Sequence, residues 1–486
     1  MMNAEVLAFV LYFVLMLAIG VVFFFKERGA GEKEYFLGGR SMGPWVTAMS
    51  AQASDMSAWL LMGLPGSILA FGFGQIWIGI GLALGTIANW VIVARRLRCF
   101  SEAANDSITL PQYLSNRFAT KSLTLQIICA VIFLVCFTIY VASAFVSGAT
   151  VFTMVFPSLS NQTAMLLFAL IIIIYTFLGG YKAVCWTDFF QGMLMLGALL
   201  IAPIFALFML QGMGVHAVDT PDYFNAFSSW KDIVSGLGWG LGYFGMPHII
   251  IRFMSLESQK SLKKSAKIGI TWTVLIVIFA AAVGIIGRLF LGYDEAINGH
   301  SLVFITMVRK IFPGVISGLL LSAVLAASMS TADSQLLMAA SAFASDVYKP
   351  VFRKGKASDK EMMWAGRIVV LIISVVALII ASNPNSGTIM SLVSNAWGVF
   401  GAAFGPAIML SLFWKRFTFA GAVVSIIVGA AVDGLWLAFL SGTGIYEIIP
   451  AFAASMIAAI VASLLSKKPG KDVEELFDKA VKFEEE

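Results

Sequence analysis

The sequence predicts an all-α membrane protein of about thirteen spans, two of them broken inside the bilayer. Three observations carry that prediction. Of 486 residues, 59% are hydrophobic and only 12% charged, against roughly 25% charged in soluble chains. Apolar runs of about 20 residues, enough to cross a bilayer, recur along the chain. They lack the period-2 alternation of barrel strands, and lipid leaves every backbone polar group to be satisfied internally, so the runs are helices. Lastly, polar residues and glycines concentrate at a few positions deep within runs, where polarity is costly and defaults to function.

In order, the expected spans are 4–25, 42–70, 74–94, 122–155, 161–180, 186–210, 231–252, 265–292, 314–345, 361–382, 387–413, 417–440 and 447–466. Short loops separate the last four, so twelve or fourteen spans are the neighbouring solutions. The first run is long enough to span and no small-residue cleavage site follows it, so no cleavable signal is expected. Lysine and arginine sort sharply between alternate loops. One side collects 28, including Lys26, Arg28, Arg40, Arg252 and the lysines of the tail; the other has Lys231, Arg288, Arg309 and Lys310. That asymmetry puts the N-terminus outside and the C-terminus in the cytoplasm. The tail beyond Pro469-Gly470 places Val473, Leu476, Phe477 and Ala480 on one helical face. It is expected to be a short amphipathic helix, solvated or lying on the membrane. Cys99, Cys129, Cys136 and Cys185 fit neither a metal site nor a disulfide framework and are expected to be buried hydrophobes.

Polarity interrupts the apolar runs in three places. In the second run, Ser50-Ala51-Gln52-Ala53-Ser54-Asp55-Met56-Ser57 crowds a carboxylate, hydroxyls and an amide ahead of Gly63, Pro65 and Gly66. A helix that unwinds here frees carbonyls to coordinate a hard cation, whereas a packing seam of small residues gains nothing from Asp55. The seventh run carries Gly236, Gly238, Gly240, Gly242 and Gly245 before Pro247 and His248. Such a stretch does not make a stable uninterrupted helix, although close helix packing is the other use of such glycines. His248 is either a proton carrier or a hydrogen-bonding residue at a helix end. In the ninth run, the Ala327 carbonyl lies one helical turn from the Ser330 and Thr331 hydroxyls. These three oxygens can converge without a formal charge, unless the hydroxyls only bond back to their own helix. The second and seventh spans are five apart and run in opposite directions, the layout of two inverted five-helix halves that each open on a broken helix. Spans 2–6 (42–210) and 7–11 (231–413) would then form the core. Residues 1–41, the last helices (414–466) and the tail (467–486) would be peripheral.

At these residues the sequence resembles the sodium:solute symporter family. The likeness rests on Tyr35-Phe36-Leu37-Gly38-Gly39-Arg40-Ser41, Ala53-Ser54-Asp55-Met56-Ser57, Gly238-Trp239-Gly240-Leu241-Gly242-Tyr243-Phe244-Gly245, Trp186-Thr187-Asp188, Ser330-Thr331 and Ala396-Trp397-Gly398. It runs from about Phe36 to Lys468, and is nearest to the family's bacterial proline carriers. The resemblance implies a leucine-transporter-like inverted-repeat core in the plasma membrane, with L-proline as substrate and Na+ as coupling ion. It implies a sodium site from Ala53 and Met56 carbonyls with Ala327, Ser330 and Thr331, and gives Asp55 an electrostatic role. Ser57, Tyr140, Trp239, Tyr243 and Pro247 would border the substrate, with Arg40 and Asp188 acting in coupling or gating. The chain departs from the pattern at Ala58, where glycine is common in proline carriers, and at Asp333, where an uncharged residue is usual. Ala58 narrows the room beside the substrate, and Asp333 would line a polar path or pair with a base.

Other readings are a same-family symporter for pantothenate, another amino acid or a sugar, and a proton-coupled carrier using Asp55. An enzyme is not expected: the histidines are His216, His248 and His300, with no His-Glu-x-x-His motif and no phosphate-binding Gly-rich loop. The lipid bilayer is the expected surrounding and no nucleic-acid partner is implied. The sequence sets no oligomeric state, and a monomer is compatible with it.

Overall fold

Where spans end, the sequence supplies caps. Ser160, Ser229, Ser358, Thr388 and Thr418 each accept a backbone N–H from the first turn of the helix they precede, and Pro44 and Pro247 sit at first-turn positions. A computed structural model describes residues 2–26, 31–218, 220–293, 300–383 and 385–485; Arg28, counted among the loop charges above, lies outside them. In chain order the main helices are α1 (Met2–Lys26), α2 (Pro44–Ala53), α3 (Trp59–Phe71), α4 (Phe73–Ala103), α5 (Thr124–Val155), α6 (Asn161–Leu178), α7 (Tyr181–Met213) and α8 (Trp230–Gly238). They continue with α9 (Pro247–Ser255), α10 (Leu262–Leu291), α11 (Gly314–Phe343), α12 (Asp359–Ser382), α13 (Ile389–Phe413), α14 (Phe419–Phe439), α15 (Ile448–Leu465) and α16 (Lys471–Glu485).

Eleven of the described helices are long and apolar enough to cross a membrane. The α2–α3 and α8–α9 passes are each interrupted and do not count among them. α11 is the axis of the fold: it is buried through most of its length and packs on α1, α5, α7 and α12. α1, α14 and α15 present mostly exposed apolar faces, as lipid-facing helices should. Among the described residues there is no strand, and a single bridge joins Met42 to Leu256. It brings the start of the first broken pass to the end of the second, with Met42 N donating to the Ser255 carbonyl at 3.2 Å.

Two expectations change. Arg252, counted as a loop charge, is 1% exposed inside the protein. The tail does form the amphipathic helix α16, but it is docked and not free. Phe477 meets Phe100 edge-on at 5.2 Å between ring centres, and the Arg117 guanidinium lies 4.9 Å over its ring. Gln259 donates to the Phe483 carbonyl at 2.8 Å, and Lys415 pairs with Asp478 at 2.8 Å. The apolar face finds a better partner in the underside of the helix bundle than in water.

Candidate functional site

Small and hydroxylic residues let α2 stop at Ala53, and residues 54–57 leave the helix before Ala58 leads into the π turn Trp59–Gly63. Ser57 N bonds the Asp55 carbonyl at 2.9 Å, and Trp59 Nε1 reaches the same oxygen at 3.3 Å. α11 lies against this gap. Ser330 Oγ stands 2.8 Å from the Ala53 carbonyl and 3.3 Å from the Ala327 carbonyl, and Thr331 Oγ1 is 3.1 Å from the latter. Back-bonding within α11 would account for the Ala327 contacts but not for Ala53, which belongs to another element. Each hydroxyl has one proton to offer, so this convergence is rich in oxygen lone pairs and poor in hydrogens. A small hard cation suits such a cage. The Met56 carbonyl makes no hydrogen bond to Ser330 or Thr331; Met56 is buried in the unwound turn.

Asp55 is fully buried. Its Oδ2 accepts from the Tyr243 hydroxyl, whereas Oδ1 has no hydrogen-bond partner. Tyr243 belongs to the second broken pass, so one bond ties the two breaks together. In that pass Trp239–Phe244 is a 3-10 helix, Gly245 and Met246 fall outside helix, and Pro247 begins α9. The glycines serve both uses considered above. A methyl group on Gly81 would stand 2.1 Å from the Gly236 carbonyl, and one on Gly85 would stand 2.5 Å from that of Gly240, so α4 and the second broken pass touch backbone to backbone. His248 takes the hydrogen-bonding role: its Nε2 lies 3.2 Å from the Ser54 carbonyl in the first gap.

The expected substrate residues gather around the same junction, all of them buried. Tyr140 stands beside Ser57, although neither hydroxyl makes a hydrogen bond of ordinary geometry. Trp239 stacks on Tyr446 at 5.0 Å and faces Trp59 at 6.4 Å, while Tyr243 meets Trp397 edge-on at 5.2 Å. Trp397 Nε1 donates to the Trp239 carbonyl at 2.9 Å. Ala58 and Pro247 close the ends of the two gaps. The result is an apolar, aromatic junction with two idle hydroxyls and a half-satisfied carboxylate.

One turn from the oxygen cage lies a charged cluster. Asp188 Oδ2 accepts from Ser50 Oγ at 2.7 Å and pairs with Arg252 at 3.3 Å, with Ser334 Oγ at 3.4 Å. Arg252 also donates to Ser334 Oγ, to the His248 carbonyl and to Ser50 Oγ. Ser50 precedes Ala53 by one turn and Ser334 follows Thr331 by one turn, so the ion pair and the cage share two helices. Sequence reasoning missed Arg252, because its place in a positively charged run disguised a buried side chain. Asp333 does not pair with a base among the described residues: it accepts from the Tyr175 hydroxyl at 2.7 Å, and its Oδ1 has no hydrogen-bond partner.

Arg40 stands apart from the junction. Its backbone is left-handed (φ 52°) and its guanidinium donates to Asp106 Oδ1 at 2.7 Å, to Ser101 Oγ at 3.2 Å, to the Ser107 carbonyl at 3.0 Å and to the Met254 carbonyl. These bonds fasten the chain ahead of α2 to the end of α4 and to the end of α9. A non-glycine residue persists in the left-handed region where its surroundings over-determine it.

Comparison with known proteins follows the same outline. The model of the sodium:solute symporter family matches residues 35–429. The osmoregulated proline transporter OpuE of Bacillus subtilis is 43% identical over 476 residues, covering 96% of each chain. A sodium/proline symporter of Staphylococcus aureus is 45% identical over 478 residues, 95% of this chain and 93% of the other. Among solved structures, a Na+-coupled sialic acid symporter in a substrate-bound outward-open state superposes with a TM-score of 0.76 at 21% identity, over 96% of this chain and 99% of that one. The nucleobase-cation symporter Mhp1 gives 0.57 at 14% identity, over 92% and 98%; these two likenesses speak for the fold. From the family match and the close relatives, the chain belongs to the sodium:solute symporter family.

Proposed function

We propose that the protein imports L-proline with sodium across the plasma membrane by alternating access, as a transporter and not an enzyme. The observation that carries the reading is Ser330 Oγ between the carbonyls of Ala53 and Ala327, an oxygen cage that only the junction of α2 with α11 can form. Sodium held by Ala53, Met56, Ala327, Ser330 and Thr331 pins the unwound turn to α11 and fixes the shape of the adjacent break. Asp55 contributes negative field from a buried carboxylate half-occupied by Tyr243. Proline's carboxylate suits the free N–H groups at a half-helix start, its ammonium suits freed carbonyls and Ser57, and its ring suits Trp239, Tyr243 and Tyr140. Ala58 and Pro247 bound the pocket and set its size.

Because sodium orders the site that proline uses, proline raises sodium affinity by the same factor. One cage supports a 1:1 stoichiometry, and an interior-negative membrane adds about 2.3 kcal/mol per charge per 100 mV. The charge asymmetry of the loops supports thirteen passes with the N-terminus outside and the C-terminus inside. The Met42–Leu256 bridge supports inverted halves over 42–210 and 231–413, flanked by 1–41, 414–466 and 467–486. In this scheme the Arg40 clamp and the Asp188–Arg252 cluster lie between the cage and the cytoplasm. They must rearrange for inward release.

Labelled-proline uptake into proteoliposomes, driven separately by sodium and by pH gradients, tests the proposal. Uptake is expected with a sodium gradient alone and to be competed by unlabelled proline. Sodium-independent uptake, or better competition by pantothenate, another amino acid or a sugar, overturns it.

A further inference from the structure

At the same end of the helices as the Met42–Leu256 bridge, α4 and the start of α10 leave a groove of about 620 Å³ between them. Its floor and walls are apolar, from Trp90, Val91, Leu262 and Ala266. Trp90 is 3% exposed and meets Phe253 of α9 edge-on at 4.6 Å, so the floor bears directly on the second broken pass. At the mouth stand Arg95, Lys260 and Lys263, with Gln259 beside them. All three cations are exposed, and neither lysine makes an ion pair with a described carboxylate. Arg95 spends one donor on the Glu484 carbonyl and has others left. Of the nearby acids, Glu484 pairs with Arg96 at 3.4 Å, and Glu257, which accepts from Ser261 Oγ at 2.9 Å, makes no described ion pair with either lysine. On the other flank of α10, a second apolar groove of about 520 Å³ is headed by Lys264 and Lys267, with Trp45 and Trp272 in its walls.

An apolar trough between two helices long and apolar enough to cross a membrane, headed by two lysines outside any described ion pair and an arginine with donors to spare, fits one chemistry: acyl chains with an anionic head. A soluble anion would use the cations and leave the trough in contact with nothing of its own polarity. A zwitterionic lipid would bring a positive group to an already positive mouth. We propose that the groove between α4 and α10 binds an acidic glycerophospholipid, with its phosphate at Arg95, Lys260 and Lys263 and its chains against Trp90 and Leu262. Bound there, it buttresses the 256–261 turn, where Arg98 Nε donates to the Leu256 carbonyl at 2.9 Å and Glu257 N to the Met42 carbonyl at 3.0 Å. The lipid therefore stabilises the arrangement in which the ends of the two broken passes meet. The site rests on α4 and α10 being membrane spans and not on which solute is carried.

The test is native mass spectrometry and thermal unfolding of the full chain in detergent, titrated with phosphatidylglycerol or phosphatidylcholine in the absence of sodium and proline. Phosphatidylglycerol is expected to bind and to raise the unfolding temperature. Each basic residue near the surface is worth about fivefold in affinity, so Lys260→Gln with Lys263→Gln should weaken binding about 25-fold. Ala266→Trp, which fills the trough and leaves the charges, should also weaken it. Lys356→Gln with Lys360→Gln, exposed and outside the groove, should not. Equal binding of phosphatidylcholine, equal stabilisation by glycerol 3-phosphate, or equal loss in the Lys356/Lys360 variant overturns the site. So does undiminished binding by both groove variants. Failure of proline transport would leave these readouts unaffected, so the two proposals fail separately.

Discussion

Replacing Ser330 by alanine should cut sodium affinity sharply while leaving the proline pocket intact. The hydroxyl bridges the Ala53 carbonyl of α2 and the Ala327 carbonyl of α11, at 2.8 Å and 3.3 Å. An oxygen that meets a charge in a buried site is worth about 1.5–3 kcal/mol, which converts to about 10- to 150-fold in affinity. The neutral bond to Ala53, worth about 1 kcal/mol, is present in the sodium-free form and gives way to the ion when sodium binds, so its loss in the variant offsets part of that figure and leaves about 0.5–2 kcal/mol, or about 2- to 30-fold. The assay is labelled-proline uptake into proteoliposomes with sodium titrated at fixed proline, alongside thermal unfolding of the same preparation. Thr331→Ala should act in the same direction. Ser328→Ala should not, because Ser328 on the same helix faces Ser147 at 2.7 Å, away from the cage. At saturating sodium the apparent proline affinity should return to the parent value, and below saturation it should fall by linkage. A half-saturating sodium concentration unchanged from the parent would refute the reasoning.

Asp55→Asn should lower sodium affinity with proline binding retained at saturating sodium; selective loss of proline binding there would contradict a field role for the carboxylate. Asp188→Asn strands the buried Arg252 charge, so unfolding measurements should show a loss of about 3–5 kcal/mol, partly recovered in the Asp188→Asn/Arg252→Gln double variant. Strict additivity would mean the pair is not coupled. Burial tends to raise the Asp106 carboxyl, but hydrogen bonds from Lys33 and Arg40 outweigh it and hold the group below the ordinary carboxylate range. Its contribution to stability is therefore complete above the ordinary aspartate pKa and disappears as pH falls through the lower native value. Asp106→Asn should flatten that acid limb of a pH–stability profile, and an unchanged limb would place the loss elsewhere. Phe477 is 8% exposed beneath α4, so Phe477→Asp should free α16 and speed tryptic cleavage at Lys471 and Lys479; an unchanged cleavage rate would mean the docking is not held by this ring.

The comparison of sequence with structure turns on range. A carboxylate in an apolar run, five glycines before a proline and an adjacent Ser-Thr pair are local anomalies. Each is read against the cost of putting polarity or a weak helix into lipid, so Asp55, the Gly236–Gly245 stretch and Ser330-Thr331 stood out in the chain itself. The pairing of the α11 hydroxyls with Ala327 was legible too, because it lies within one helical turn. The contacts of Ser330 with Ala53, Tyr243 with Asp55 and Arg252 with Asp188 join residues 277, 188 and 64 positions apart. No period or propensity encodes them.

For this protein the sequence alone determined the solvent and the secondary structure. Lipid admits only internally satisfied backbone, and composition therefore decides helices, their approximate ends and the places where they must break. The tertiary structure decided which broken ends meet, that Arg252 is an interior partner of Asp188 and not a loop charge, and that the tail docks beneath the bundle. The cause is physical: a buried charge or an apolar face fixes the need for a partner, whereas the packing of distant helices fixes which partner it finds.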